Sequence, residues 1–158
     1  MNSGDTINIL VYDRAHEQIK QYMEEVTGGR KFKLIAIKGD LSHIYEIGEA
    51  LERNEIIATT ADRFLGEGKT RTFKFLGEDA RFPAGIFQII KTFRANYSFV
   101  YGVKKRATHY NFYCRPHRTV TNETTIDMIM EDYVRDLEVM VKENPDQWFN
   151  YYDFWKKG

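Results

Sequence analysis

Three short apolar runs, Ile7–Tyr12, Phe32–Ile37 and Ile56–Thr60, are separated by stretches whose apolar residues recur at helical spacing. This order constrains the fold more than any other feature of the chain. Short runs rich in apolar residues suit strands buried on both faces. After the first run, Asp13 stands where a helix cap belongs, and Ile19, Tyr22, Met23 and Val26 share one face until Gly28-Gly29 stops the pattern. After the second run, Asp40 or Ser42 is placed to cap a helix that turns Ile44, Ile47, Ala50 and Leu51 inward. Strand–helix–strand–helix–strand at these spacings predicts an α/β fold with a parallel sheet and helices on its faces.

Beyond Thr60 the pattern changes. Thr70–Leu76 reads as a strand or extended loop, and Pro83 opens an expected helix through Arg94, because proline is tolerated in a first turn. Tyr97–Val103 and His109–Cys114 predict a strand pair joined by the basic turn Lys104-Lys105-Arg106. Asn122–Glu143 is the longest helical stretch, with Ile126, Ile129, Met130, Tyr133, Leu137 and Met140 on one face and Pro145 ending it. No repeat, low-complexity tract or linker interrupts the chain, so residues 1–158 are expected to form a single domain.

Composition excludes several functions. Lys+Arg and Asp+Glu both number 23, so no global field draws nucleic acid or membrane, and any anion site has to be local. Cys114 is the only cysteine, which excludes an internal disulfide and a cysteine-based zinc cage. No apolar run approaches the roughly 18 residues of a bilayer-spanning helix, so a membrane role is expected to be peripheral or to depend on a segment outside these residues.

Residues Asp62 to Gly85 read DRFLGEGKTRTFKFLGEDARFPAG and gather the most suggestive chemistry. Arg63 suits bidentate contact with a phosphate, and Asp62 is placed to orient its guanidinium; the same dipeptide also reads as a structural pair in a loop. Gly66 and Gly68 allow a tight turn, but Arg63 stands where a P-loop needs its first glycine, which argues against a nucleoside-triphosphate site. Phe73-Lys74-Phe75-Leu76-Gly77 reads as a half-buried strand or as a stacking face for single-stranded nucleic acid, and the balanced charge argues against the latter. Arg30-Lys31 with Lys33, and Lys104-Lys105-Arg106, are basic clusters that are either solvated or meet lipid phosphate. None of His16, His43, His109 and His117 has Asp or Glu five residues downstream, and no Gly-x-Ser-x-Gly occurs. His43, near a helix start, reads as a capping or partly buried group rather than a base.

This central block resembles that of the bacterial lipid A biosynthesis acyltransferases, within the lysophospholipid acyltransferase superfamily. The matching residues are Asp62, Gly66, Phe73, Phe75-Leu76-Gly77, Ala80, Pro83 and Gly85. The tail Pro145-Asp146-Gln147-Trp148-Phe149 resembles the family's Pro-Glu-Gln followed by aromatics. Upstream, Arg30 is similar to an arginine after the family's second helix, and Gly48–Asn54 to the end of its pre-strand helix. The likeness covers nearly the whole chain in order. Arg63 replaces the family's Gln after Asp, and Tyr152-Asp153-Phe154-Trp155 replaces an aromatic-arginine tail; both leave the acceptor undefined.

The resemblance implies a three-layer α/β sandwich with a mostly parallel central sheet. It implies transfer of a fatty acyl group from acyl carrier protein or acyl-CoA to a hydroxyl of a lipid A precursor, or of a related glycolipid or phospholipid acceptor. No cofactor is implied beyond the acyl donor. Arg30, Asp62, Arg63 and Lys69 would then bind phosphate, while Gly66, Phe75, Gly77, Pro83 and Gly85 would shape or support an acyl pocket. The setting implied is the cytoplasmic face of the bacterial inner membrane, held peripherally, with no nucleic-acid partner. The family's His-x4-Asp/Glu motif does not occur here. The chain is therefore expected to correspond to the C-terminal portion of such an enzyme, to be inactive alone, and to self-associate through apolar faces that truncation would expose. A non-catalytic module binding anionic lipid or protein is the competing expectation.

Overall fold

The computed structural model describes residues 6–12, 32–63, 68–149 and 154–155. The expected helix after Asp13, with Gly28-Gly29 and Arg30, lies outside the described residues, as does Gly66. The chain divides into two compact units, residues 1–60 and 61–158.

In the first unit, strand β1 (Ile7–Tyr12) is central in a three-stranded parallel sheet. It pairs with β2 (Phe32–Ile37) from Ile7↔Phe32 to Tyr12↔Ile37, and with β3 (Ile56–Ala58) from Ile7↔Ile56 to Ile9↔Ala58. The predicted parallel order is thus observed, with the third strand shorter than its apolar run. Helix α1 (Ser42–Glu52) buries Ile47, Gly48 and Ala50, and Leu10, Val11 and Ile35 are buried on the sheet. Asp40 organises the start of α1: its Oδ1 accepts from the Ser42 amide at 3.1 Å and the Ser42 hydroxyl at 2.5 Å. Those bonds hold the Asp40 carboxyl below its usual range.

Asn8 looks out of place in a buried strand, yet it is satisfied. Its Nδ2 donates to Glu55 Oε2 at 2.9 Å and to the Ile56 carbonyl at 3.3 Å, which ties β1 to the start of β3. Glu55 also accepts from Arg53 Nε and Lys33 Nζ, each at 3.1 Å. Arg53 first, then Asn8 and Lys33, lower its carboxyl to about 2.

The second unit opens with a hairpin of β4 (Thr70–Phe75) and β5 (Glu78–Pro83), paired from Thr70↔Pro83 to Phe75↔Glu78. The two-residue loop Leu76-Gly77 has φ of 54° and 93°, the positive values that a type I′ hairpin turn demands. The expected helix does not start at Pro83: Pro83 ends β5, and helix α2 runs Gly85–Phe93. Proline at the last position of an edge strand sacrifices no ladder bond, so the residue that resembled a helix opener closes a strand instead.

A second hairpin joins β6 (Val100–Arg106) to β7 (His109–Cys114), with an irregularity between Lys104 and Arg106. The three basic residues therefore belong to the end of β6, and the turn is Ala107-Thr108, not Lys104-Lys105-Arg106. Helix α3 (Ile126–Glu143) begins four residues later than expected, capped by the Thr125 hydroxyl, which accepts from the Met128 amide at 3.2 Å. Its apolar face packs on Phe75, Ala80, Phe82 and Phe87, which are at most 1% exposed. A 3-10 helix (Pro145–Gln147) follows.

Among the described residues the fold is therefore mixed α/β, with one three-stranded parallel sheet and two antiparallel hairpins. None of the described helices is long and apolar enough to cross a membrane.

Candidate functional site

Within the second unit, the structure brings the central block and the tail together. Asp62 is half-buried and accepts from the indole N–H of Trp148 at 3.4 Å. Trp148 stands edge-on to Phe75, with centroids 5.2 Å apart, and the Trp155 indole stacks on Phe75 and donates to its carbonyl at 3.3 Å. Phe75 also meets Phe82 and Phe154, so a fully buried ring on β4 is the hub of an aromatic cluster. Edge-to-face pairs of this kind add stabilisation beyond their buried area.

Gln147, just before Trp148, clamps the second hairpin. Its Oε1 accepts from the Lys104 amide at 2.6 Å, and its Nε2 donates to the Lys104 carbonyl at 2.9 Å. The Pro-Asp-Gln-Trp run thus has a physical role at two adjacent residues. One holds the backbone of β6 and the next holds Asp62.

Two carboxylates one turn apart on α3 extend this framework. Asp132, 7% exposed, accepts from Arg118 at 2.5 Å, Arg135 at 2.6 Å and the Tyr97 hydroxyl at 3.5 Å. Asp136 accepts at Oδ1 from Arg115 Nε at 2.7 Å, while its Oδ2 and the Tyr101 hydroxyl are buried with no hydrogen-bond partner among the described residues. Each aspartate thus faces one tyrosine before β6 or within it, and one arginine after β7. Burial pushes the Tyr101 hydroxyl far above the usual tyrosine range; the charge of Asp136, the leaning of the hydroxyl toward that carboxylate and the charge of Asp62 push the same way against Arg115. Burial likewise raises Tyr97, helped by the charge on Asp132. Both tyrosines stay protonated at neutral pH, and both aspartates are committed to arginines. The cluster is built to hold geometry.

A family model described as bacterial lipid A biosynthesis acyltransferase matches residues 6–157. The chain belongs to that family. A search of curated proteins found no match.

In this acyltransferase-family chain the sequence-predicted residues fall in distinct places. Arg63 is exposed beside Asp62, in the loop that opens the second unit. Lys69 is exposed just ahead of β4, and its carbonyl accepts from the Ala84 amide at 2.8 Å. That bond sets Lys69 beside Pro83-Ala84-Gly85 and the start of α2. The N-terminus of α2 has no side-chain cap and no acidic residue in its first turn. A Cβ added to Gly85 would meet nothing within 4 Å among the described residues. Gly77 serves the hairpin turn through its φ of 93°, and Phe75 sits in the core. Arg30 and Gly66 lie outside the described residues.

Among the described residues no group of three or more His, Cys, Asp or Glu is placed to hold a metal ion. A groove of about 460 Å³ runs between β4 and α3, with Phe73, Val134 and Val139 on its walls and Lys74, Glu138 and Lys142 among its charges. Sequence reasoning missed Asp132, Asp136, Arg115 and Arg118. The signal was present as Asp132 and Asp136 interrupting an otherwise apolar face, next to Tyr133 and Leu137.

Proposed function

We propose that this chain carries the acceptor-binding part of a transferase that moves a fatty acyl group from acyl carrier protein or acyl-CoA to a hydroxyl of a lipid A precursor, or of a related glycolipid or lysophospholipid. The observation that carries the reading is the family match across residues 6–157. In this reading Arg63 and Lys69 bind phosphate on the lipid acceptor. Asp62, fixed by the Trp148 indole, sets the loop from which Arg63 projects. The uncapped start of α2 adds backbone donors, which suits an anion. Pro83 and Gly85 shape that helix start beside the acyl chain, and Phe75 and Gly77 support the strand and turn that lead to it.

In the reaction, the acceptor oxygen attacks the thioester carbonyl, a base takes its proton, and the donor thiolate leaves. These 158 residues contain no His-x4-Asp/Glu, so the proposal assigns them no base and expects no transfer by the chain alone. The reading takes residues 1–158 as one three-layer α/β domain with a mostly parallel central sheet, working peripherally at the cytoplasmic face of the inner membrane. Single-transition unfolding is its expected signature.

The test is titration of the chain with a phosphorylated glycolipid acceptor, dispersed as monomers, and with its dephosphorylated counterpart. The phosphorylated form should bind more tightly, and Arg63→Ala should weaken it by about tenfold. Equal affinity for the two forms would remove the phosphate-binding assignment. Where a motif-bearing family segment restores transfer to this chain, Arg63→Ala should raise acceptor KM more than Lys157→Ala.

The absence of that motif from these residues also favours a second reading, a non-catalytic module that binds anionic lipid. Complementing the chain with a motif-bearing family segment separates the two. Recovered transfer supports the enzyme, and acceptor binding without transfer supports the module.

A further inference from the structure

We propose that the outer face of the β6–β7 hairpin docks on the anionic headgroup surface of a lipid bilayer. This rests on the lipid-acceptor reading and goes beyond it by placing the contact on a specific surface.

Strand pairing fixes which residues share that face. Gly102 pairs with Phe112, Lys104 with Tyr110 and Val100 with Cys114. Residues opposite one another in an antiparallel pair project to the same side. On the other side Val103 is buried and Tyr101 packs against the core. The outer side is uncovered: Phe112 is 76% exposed, Val100 60% and Tyr110 49%. The Phe112 ring lies across Gly102, whose missing side chain makes room for it: a Cβ there would come within 3.3 Å of the ring.

Charge is segregated onto the same structure. No Asp or Glu occurs from Ala80 through Asn122, in a chain whose net charge is zero. Lys104 stands over the Tyr110 ring, its Nζ 5.9 Å from the centroid. Lys105 and Arg106 follow at the hairpin tip, where the register shifts after Lys104 and Arg106 pairs with His109; all three cations are exposed and without an ion-pair partner among the described residues. The clamp from Gln147 holds the Lys104 backbone, so Lys104 is presented by a fixed strand.

Cations beside exposed aromatic and aliphatic side chains complement an anionic interface. The ammonium and guanidinium groups meet lipid phosphate while the apolar groups enter the headgroup boundary. A protein partner would have to match the protruding Phe112 with a shaped pocket. A fluid lipid interface accommodates it without one, and that favours the bilayer.

The test is partition of the 158-residue chain onto phosphatidylcholine vesicles, with and without phosphatidylglycerol. A polarity-sensitive fluorophore on Cys114, the only cysteine and an exposed one, reports the environment of this face. Partition should require phosphatidylglycerol, weaken with salt, and shift the fluorophore to the blue. Replacing Lys104, Lys105 and Arg106 by Gln should weaken it by about 100-fold, and Phe112→Ser by about tenfold. Circular dichroism checks that both variants fold.

Equal partition of the variants and the parent, or equal binding to neutral vesicles, would overturn the proposal. So would a Phe112→Ser change that only dissolves an oligomer, which would point to a second copy of the chain. Capture by immobilised acyl carrier protein through the same cations, without vesicle binding, would assign the surface to an acidic protein instead. Binding of monomeric acceptor that depends on Arg63 reports separately on the function. Its loss with vesicle partition intact would remove the substrate and leave the surface.

Discussion

Arg115 donates through Nε to Oδ1 of Asp136 at 2.7 Å, and the other carboxylate oxygen is buried, with only the Tyr101 hydroxyl leaning toward that carboxylate among the described residues. Removing the arginine leaves a partly buried charge with neither oxygen neutralised. Arg115→Ala should therefore cost about 2 kcal/mol. Adding Asp136→Asn should recover part of that loss, because the stranded charge goes with it. Urea unfolding midpoints for the two single variants and the double variant measure the coupling. Additive losses would mean that the pair contributes nothing jointly.

The Tyr101 hydroxyl is buried beside that carboxylate and leans toward it, outside full hydrogen-bond geometry, with no other partner among the described residues. Tyr101→Phe should change neutral-pH stability by no more than about 1 kcal/mol, because the hydroxyl gains only a weak approach to Asp136 against its burial. The pH dependence has a definite sign. The folded state holds the Tyr101 pKa above its unfolded value near 10, so the unfolded chain loses that proton first. Stability tied to Tyr101 is fully present below that value and declines as pH rises through it. Unfolding followed from neutral to alkaline pH should show a steeper decline for the parent than for Tyr101→Phe.

Glu55 gives the opposite slope in the first unit. Its carboxyl is lowered to about 2 by Arg53, Asn8 and Lys33. The stabilisation is present above the ordinary glutamate range and is lost as pH falls from there towards about 2. Glu55→Gln should flatten the acid limb of the stability profile while keeping an acceptor for Asn8. An unchanged acid limb in urea unfolding series would show that this network does not act in solution.

Two glycines separate backbone need from ligand need. An added Cβ at Gly77 or Gly85 meets nothing within 4 Å among the described residues, but only Gly77 has a positive φ. Gly77→Ala should cost about 1 kcal/mol, and Gly85→Ala in the first turn of α2 should stabilise by about 0.5 kcal/mol. Thermal melts decide both. If Gly85→Ala keeps its stability but weakens acceptor binding, the space beside the helix start is used by ligand.

The three strands of the parallel sheet were legible because buried strands carry their apolar character along their whole length, and α1 because Ile47 and Ala50 recur on one face; the order β2-β1-β3 came from the structure. The boundary at Pro83 was not, because the same restricted φ suits a first helical turn and the end of an edge strand. Lys104-Lys105-Arg106 read as a turn by composition alone; the clamp from Gln147, 43 positions away, holds them at the end of a strand. The resemblance carried by Asp62, Phe75 and the Pro145–Trp148 run led to the family that the match over residues 6–157 established.

The local pattern of apolar and polar side chains thus determined the elements of the first sheet, and motif order determined the family. Tertiary structure alone decided that Trp148 reaches Asp62 across 86 positions, and that Asp132 and Asp136 meet arginines folded back from the far end of a hairpin. Helical and strand periods arise between near neighbours and are written in local sequence. A buried carboxylate finds its cation only after the backbone has closed, and no spacing along the chain records that distance.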